Sequence, residues 1–312
     1  MDQVTVAGSG VLGSQIAFQC AYKGCDVRIY DIDPAAVAKL PQKWRELSAT
    51  YRKDLKADDA AIAATVGRLR AGSDLAEAVQ GSDLVIEAVP ESVAVKRSFY
   101  EALSIVALKT TIFATNSSTL LPSLLAQFTD RPERFLALHF ASRVWRNNIA
   151  EVMRHSATDD NTFDNVIAFA ERIGMVPIAL HKEQAGYVLN TLLIPWVRAG
   201  MSLVVKGIAS PHDVDRTWMI AGGGDTGPFA VLDLVGLRTP LQILTAAAEA
   251  GDAAAAEEAE WLRREYIDRN KLGIETGEGF YKYPNPAYRR ADFVQPRAAH
   301  LKVTVRPDPR SP

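Results

Sequence analysis

The run VTVAGSGVLG, residues 4–13, constrains the fold of this chain more than any other stretch. A short apolar, β-branched segment leads into Gly8, Gly10 and Gly13, and a helix-sized segment follows that Gly24 can end. Each glycine has a separate physical task. Gly8 permits the tight turn, Gly10 removes a side chain that would block a pyrophosphate, and Gly13 lets the helix pack against the strand. The N-terminus of that helix then offers free N–H groups and a positive dipole end to the phosphates. A second β-rich run, VRIY, ends at Asp31, eighteen residues after Gly13. A carboxylate there can accept both ribose hydroxyls of NAD and would repel the 2′-phosphate of NADP. Gly8, Gly10, Val11, Leu12, Gly13 and Asp31 thus form a candidate NAD site. The competing reading is a glycine turn in an α/β fold that binds no nucleotide, and the preference for NAD over NADP rests on Asp31 alone.

Strand-like runs continue at Val4–Ala7, Val27–Tyr30, Leu84–Ala88, Thr111–Ala114, Phe135–Phe140, Ala150–Met153 and Val176–Leu180, with longer helix-like segments between most of them. Near-continuous apolar strands alternating with helices predict an α/β, Rossmann-type, doubly wound and mostly parallel sheet covered on both faces. The strands around His139 and Glu151 are too close in sequence for a crossover helix, which predicts an antiparallel edge there. After about Gly186 the pattern turns helical. The sequence therefore divides into a nucleotide-binding domain over 1–185, an all-helical substrate and dimerisation domain over 186–283, and an extended basic tail over 284–312.

A net charge of −2 gives no reason to expect nucleic acid. The longest apolar stretch, YVLNTLLIPWVRAGMSLVV, is interrupted by Asn190, Pro195 and Arg198 and reads as a buried helix, not a membrane span. Cys20 and Cys25 fit neither a disulfide framework nor a zinc pattern, so no metal is expected. The N-terminus shows no signal peptide, and a cytoplasmic protein is expected.

Two further strand ends point at the same crevice. EAVPES places Glu87 and Glu91 past one strand, and ATNSS places Asn116, Ser117 and Ser118 past the next. Such residues can serve a ligand, and they can equally be helix caps and turn formers. The candidate for chemistry is His139, in the apolar run RFLALHF, with Glu151 twelve residues later in AEVM. On adjacent strands the carboxylate would fix the histidine tautomer and stabilise the imidazolium, giving an acid–base group for neutral pH. Spacing alone leaves a satisfied core histidine as an open alternative.

Taken in order, GSGVLG, Asp31, EAVPES with Lys96, ATNSS, LHF with Glu151, GYVLN with Asn190, GGGDTGPFAVLDLVGL and GEGFYKY resemble the 3-hydroxyacyl-CoA dehydrogenase family over nearly the whole chain. ATNSSTLLPS, ALHF, VWRNN, AEVM and MVPI resemble a branch that includes bacterial diketoreductase, whose members reduce β-keto and β,δ-diketo esters. The resemblance implies roles by position. His139 would be the acid–base group and Glu151 its orienting partner. Ser118 and Asn190 would hold the substrate oxygen, and Gly8, Gly10, Gly13, Asp31, Glu91, Lys96 and Asn116 would serve NAD. A homodimer built on the helical half is also implied.

Three departures bear on the substrate. Where the family has Asn and then Pro after the histidine, this chain has Ser142 and Arg143, both candidate substrate residues. A family lysine is replaced by Glu275, and the segment DIDPAAVAKLPQKWRELSATY is shorter than its counterpart in fatty-acid enzymes. The expectation is a diketoreductase-like enzyme acting on a small β-keto ester or acid. The alternatives are a 3-hydroxyacyl-CoA or 3-hydroxybutyryl-CoA dehydrogenase, a sugar-acid dehydrogenase, and a catalytically idle, crystallin-like NAD-binding protein.

Overall fold

The computed structural model describes residues 1–295 and resolves two compact units, Met1–Thr191 and a second that begins at Leu192. The first is built on one eight-stranded sheet. In chain order its strands are β1 (Gln3–Ala7), β2 (Asp26–Tyr30), β3 (Leu69–Gly72), β4 (Leu84–Glu87), β5 (Ile112–Thr115), β6 (Phe135–Phe140), β7 (Ile149–Met153) and β8 (Val176–Leu180). In space the order is β3-β2-β1-β4-β5-β6-β7-β8, all neighbours parallel except β6 and β7. This is the expected Rossmann-type arrangement, and a helical unit follows it. Strand order reverses between β1 and β4, which opens a crevice at their carboxyl ends.

Burial explains why these runs are strands. β4, β5 and β6 are buried at every residue, as strands covered on both faces must be. The helix Val11–Tyr22 is buried continuously from Gly13 to Ala21, and it packs in the core with Val4, Val6 and Ile29. Two strand expectations need correction. β3, with sequence LRAG, has no β-branched or aromatic residue and lies at the rim, so it carries no strand signature. The antiparallel pair β6–β7 is not the edge, because β8 continues the sheet in parallel with β7.

In the second unit, two buried carboxylates organise the backbone. Asp215 accepts from the amides of Phe229 and Ala230 and from the Tyr281 hydroxyl, each at 2.8 Å. Asp233 accepts from the amides of Phe280 and Tyr281, and burial pushes its carboxyl up to about 6. Gly279 of GEGFYKY makes this contact possible: a Cβ there would stand 2.0 Å from Asp233 Oδ1. Gly279→Ala should therefore destabilise the protein by about 2–3 kcal/mol, read as a lower urea midpoint. A change under about 0.5 kcal/mol would show that the loop yields at no cost.

The stretch after Tyr283 differs from the extended tail expected of it. Ala287–Arg289 and Ala291–Val294 form short 3-10 turns, and Tyr288 and Phe293 are buried in the helical unit's core. Two aromatic residues supply enough apolar area to hold a proline-rich segment down. The remainder of that tail, 296–312, lies outside the described residues. Among the described residues no single helix is long and apolar enough to cross a membrane.

Candidate active site

The glycine loop shows why each glycine is required. Gly8 has φ 109°, and a Cβ there would lie 2.3 Å from the Ala88 carbonyl oxygen. A Cβ on Gly13 would lie 2.0 Å from the Gly8 carbonyl oxygen, so the close contact is to the loop itself. Gly10 is different: a Cβ there would meet nothing within 4 Å. Its missing side chain keeps open a cleft of about 260 Å³, lined by Gly10, Val11, Leu12, Gly13, Lys96 and Ser118 among others. That open backbone at a helix N-terminus fits a dinucleotide pyrophosphate.

Asp31 stands just past β2. Its Oδ2 accepts from the Ser9 amide at 2.8 Å and the Ser9 hydroxyl at 2.6 Å, and its Oδ1 from the Asp33 amide at 3.1 Å. Burial opposes ionisation of Asp31, but the Ser9 hydroxyl, the two amides and the Lys43 charge outweigh it and hold the carboxyl below its usual range. Lys43 also donates to the Ser9 carbonyl. A carboxylate so fixed at a strand end can accept ribose hydroxyls.

The strand ends beyond β4 and β5 are cross-linked. Glu87 is fully buried and accepts from Lys96, Tyr100 and Thr115, which leaves it a structural anchor. The Lys96 ammonium, 1% exposed, bridges Glu87 at 2.5 Å and Glu91 at 3.2 Å. Glu91 Oε1 accepts from the Ser117 hydroxyl and from the amide and hydroxyl of Thr119. Burial works against the Glu91 charge, yet the Ser117 bond and the Lys96 charge hold its carboxyl below the usual range. Asn116 Oδ1 accepts from the Phe140 amide at 2.9 Å, tying the end of β5 to the end of β6. Glu91, Lys96 and Asn116 all line the cleft, but their polar atoms first fix its walls.

His139 and Glu151 face each other directly in the antiparallel register of β6 and β7. His139 Nδ1 is 2.9 Å from Glu151 Oε2, and both side chains are buried. The other Glu151 oxygen accepts from the amides of Val188 and Leu189, at 2.9 and 2.8 Å, at the start of the helix Tyr187–Val205. A carboxylate held this way accepts the Nδ1 proton, which leaves the Nε2 lone pair free in the neutral ring. The Ser118 hydroxyl, 3.2 Å from Nε2, then donates to it. The arrangement can give a proton to, or take one from, an oxygen placed beside Ser118.

The structure thus brings His139, Glu151 and Ser118 together. Asn190 stands one residue past the Leu189 amide that binds Glu151, and among the described residues its side-chain amide makes no hydrogen bond. Ser142 and Arg143 follow the end of β6. The Arg143 amide donates to Gln15, and the Ser142 carbonyl accepts from Asn147. Glu275 lies in the helical unit, 3.9 Å from Arg238.

Sequence reasoning missed Ser9, Lys43 and Tyr187. The Tyr187 ring stacks on His139 at 4.5 Å, and its hydroxyl bonds the Ser117 carbonyl. The signal available was the Gly-Tyr pair at the mouth of a helix, where a left-handed glycine turns the chain.

A cleft at the switch point of a parallel sheet, with a buried histidine–carboxylate pair beside it, is the arrangement of an NAD-dependent oxidoreductase acting on CH–OH groups. Residues 3–184 match the NAD binding domain of 3-hydroxyacyl-CoA dehydrogenase and residues 186–283 its C-terminal domain; the chain belongs to that family. It is 32% identical over 288 residues to the mitochondrial hydroxyacyl-coenzyme A dehydrogenase of Homo sapiens, covering 91% of each chain. It is also 32% identical over 284 residues to a probable 3-hydroxybutyryl-CoA dehydrogenase of Bacillus subtilis, covering 91% of this chain and 98% of that one. Among solved structures it is similar to a diketoreductase studied for dual catalysis of dicarbonyl compounds. That match has 49% identity, a TM-score of 0.85, and coverage of 91% of this chain and 99% of the other.

Proposed function

We propose that the protein interconverts a β-keto and a β-hydroxy carbonyl compound, and that its substrate is a β-keto ester or acid without a CoA handle. The observation that carries this reading is the hydrogen-bonded chain Ser118–His139–Glu151, with Ser118 lining the dinucleotide cleft. When bound, NAD(H) supplies or takes the hydride. His139 Nε2 gives the proton to the substrate oxygen in reduction and takes it in oxidation. Glu151 keeps the proton-bearing Nδ1 in place and stabilises the imidazolium. Ser118 and the unpaired Asn190 amide hold the substrate oxygen. The loop Gly8, Gly10, Val11, Leu12 and Gly13 takes the pyrophosphate, and Asp31 the adenosine ribose. Glu91, Lys96 and Asn116 shape the nicotinamide end. Ser142 and Arg143 border the substrate, and the protein works as a homodimer in the cytoplasm.

The substrate assignment is supported by the higher identity to the diketoreductase, 49% against 32% for relatives named for CoA thioesters. Ser142 and Arg143, in place of the family's Asn and Pro, add to it. Comparing kcat/KM for acetoacetyl-CoA with that for β-keto esters and acids tests it. The esters or acids should be preferred; a large preference for acetoacetyl-CoA would make the protein a CoA-thioester dehydrogenase.

The ribose assignment gives a separate prediction. Asp31→Ser should raise the NADH Kd about tenfold and narrow its discrimination against NADPH, since the bonds lost are to a charged group. Lys43, which the same loop positions, would then face an added phosphate without the opposing carboxylate. Fluorescence titration measures both constants, and an unchanged NADH Kd would remove Asp31 from the ribose site.

A further inference from the structure

The acid–base chemistry leaves one buried neighbour without a role. Tyr187 is 1% exposed, and its ring lies nearly parallel to the His139 imidazole, with planes 16° apart and centroids 4.5 Å apart. Its hydroxyl donates to the Ser117 carbonyl at 2.6 Å. Its φ of 53° lies in the left-handed region, which residues with a bulky side chain rarely adopt. Such strain persists only where surrounding contacts over-determine it. Here those contacts reach each member of the relay. The ring touches His139, and the hydroxyl holds the residue before Ser118. The next two amides, of Val188 and Leu189, bind Glu151.

We propose that Tyr187 is the positioning residue of the relay. Its ring fixes the plane of the imidazole, and its hydroxyl fixes the Ser117–Ser118 turn, so that Ser118 Oγ and His139 Nε2 converge on one substrate oxygen. The torsion that orients an imidazole has broad minima and does not lock the ring by itself. Strand β6 sets the position of the His139 Cβ, and Glu151 pins one nitrogen. The flat wall of Tyr187 removes the remaining rotation. A phenyl ring would supply that wall equally well. The hydroxyl is therefore explained by its second contact, since Ser117 has no other donor on that carbonyl among the described residues.

This inference rests on the acid–base reading of His139, and the experiment separates the two. Steady-state kinetics with a β-keto ester, NADH binding and thermal unfolding are measured for Tyr187→Phe, Tyr187→Leu, Ser118→Ala, His139→Ala and the double variant Tyr187→Phe/Ser118→Ala. Tyr187→Phe should lower kcat about tenfold and Tyr187→Leu about a hundredfold, with KM and NADH Kd within about twofold, as expected of lost alignment and not lost binding. In the Ser118→Ala background Tyr187→Phe should cost less than about twofold, because the hydroxyl acts through the turn that carries Ser118. Wild-type kcat in Tyr187→Phe, or an equal loss in both backgrounds, overturns the positioning role. Near-wild-type turnover in His139→Ala overturns the acid–base reading itself. Tyr187→Phe keeps ring and volume, so the test stands even if Tyr187→Leu does not fold.

Discussion

Replacing His139 by alanine should lower kcat by about two orders of magnitude or more and leave the NADH Kd nearly unchanged. The reason is local. Nε2 is the basic atom that Ser118 meets in the cleft wall, and the neighbouring carboxylate, Glu151, is turned away onto Nδ1 and two backbone amides. The residues that line the cleft include no histidine, so no second imidazole stands ready to replace it. Removal of the ring also leaves one Glu151 oxygen buried without its partner, at a cost of about 1–3 kcal/mol in stability. Thermal unfolding is therefore measured alongside, and His139→Gln, which can still donate to Glu151, separates folding from chemistry. Near-wild-type turnover in either variant would remove the base assignment.

Glu151→Gln should have a comparable effect on kcat, by reversing the tautomer of His139. The Glu151 carboxylate serves two sides at once: Oε1 accepts from the amides of Val188 and Leu189, and Oε2 accepts from His139. A glutamine has one oxygen. If that oxygen stays on the two amides, its NH2 group faces Nδ1, and the histidine must present Nδ1 as an acceptor. The proton then sits on Nε2, and His139 cannot act as a base toward the substrate. A loss of about 10²–10⁴ in kcat with unchanged NADH affinity follows, as for other triads whose carboxylate is neutralised. A loss under about threefold would mean that Glu151 only fills space.

Much of this site could be read from the chain. The glycine loop and the place of Asp31 at the end of β2 are legible because backbone sterics leave fixed spacings in sequence. The pairing of His139 with Glu151 is legible because two apolar runs joined by a short connection must form an antiparallel pair. What escaped detection has no such signature. The amides of Val188 and Leu189 are donors that any residue carries, so their grip on Glu151 cannot be seen in side-chain types. Glu87 looks like a ligand group at a strand end, but β4 is buried at every residue, and the Lys96 ammonium from the helix Val93–Val106 pairs with it there. Tyr187 reads as one more apolar residue of a helix. Its stacking on His139 depends on the left-handed turn at Gly186 and Tyr187, a tertiary property that the helical pattern hides.

The proposed Ser118–His139–Glu151 relay would turn over a β-keto carbonyl compound at the expense of NADH. The direct measurement is NADH oxidation by the wild-type protein with a β-keto ester, with product analysis and NADH binding on the same sample. Saturable NADH binding and one β-hydroxy ester formed per NADH consumed are the expected result. Tight NADH binding with no turnover on any β-keto ester, acid or thioester would contradict it, and would leave a nucleotide-binding protein whose histidine is a core residue.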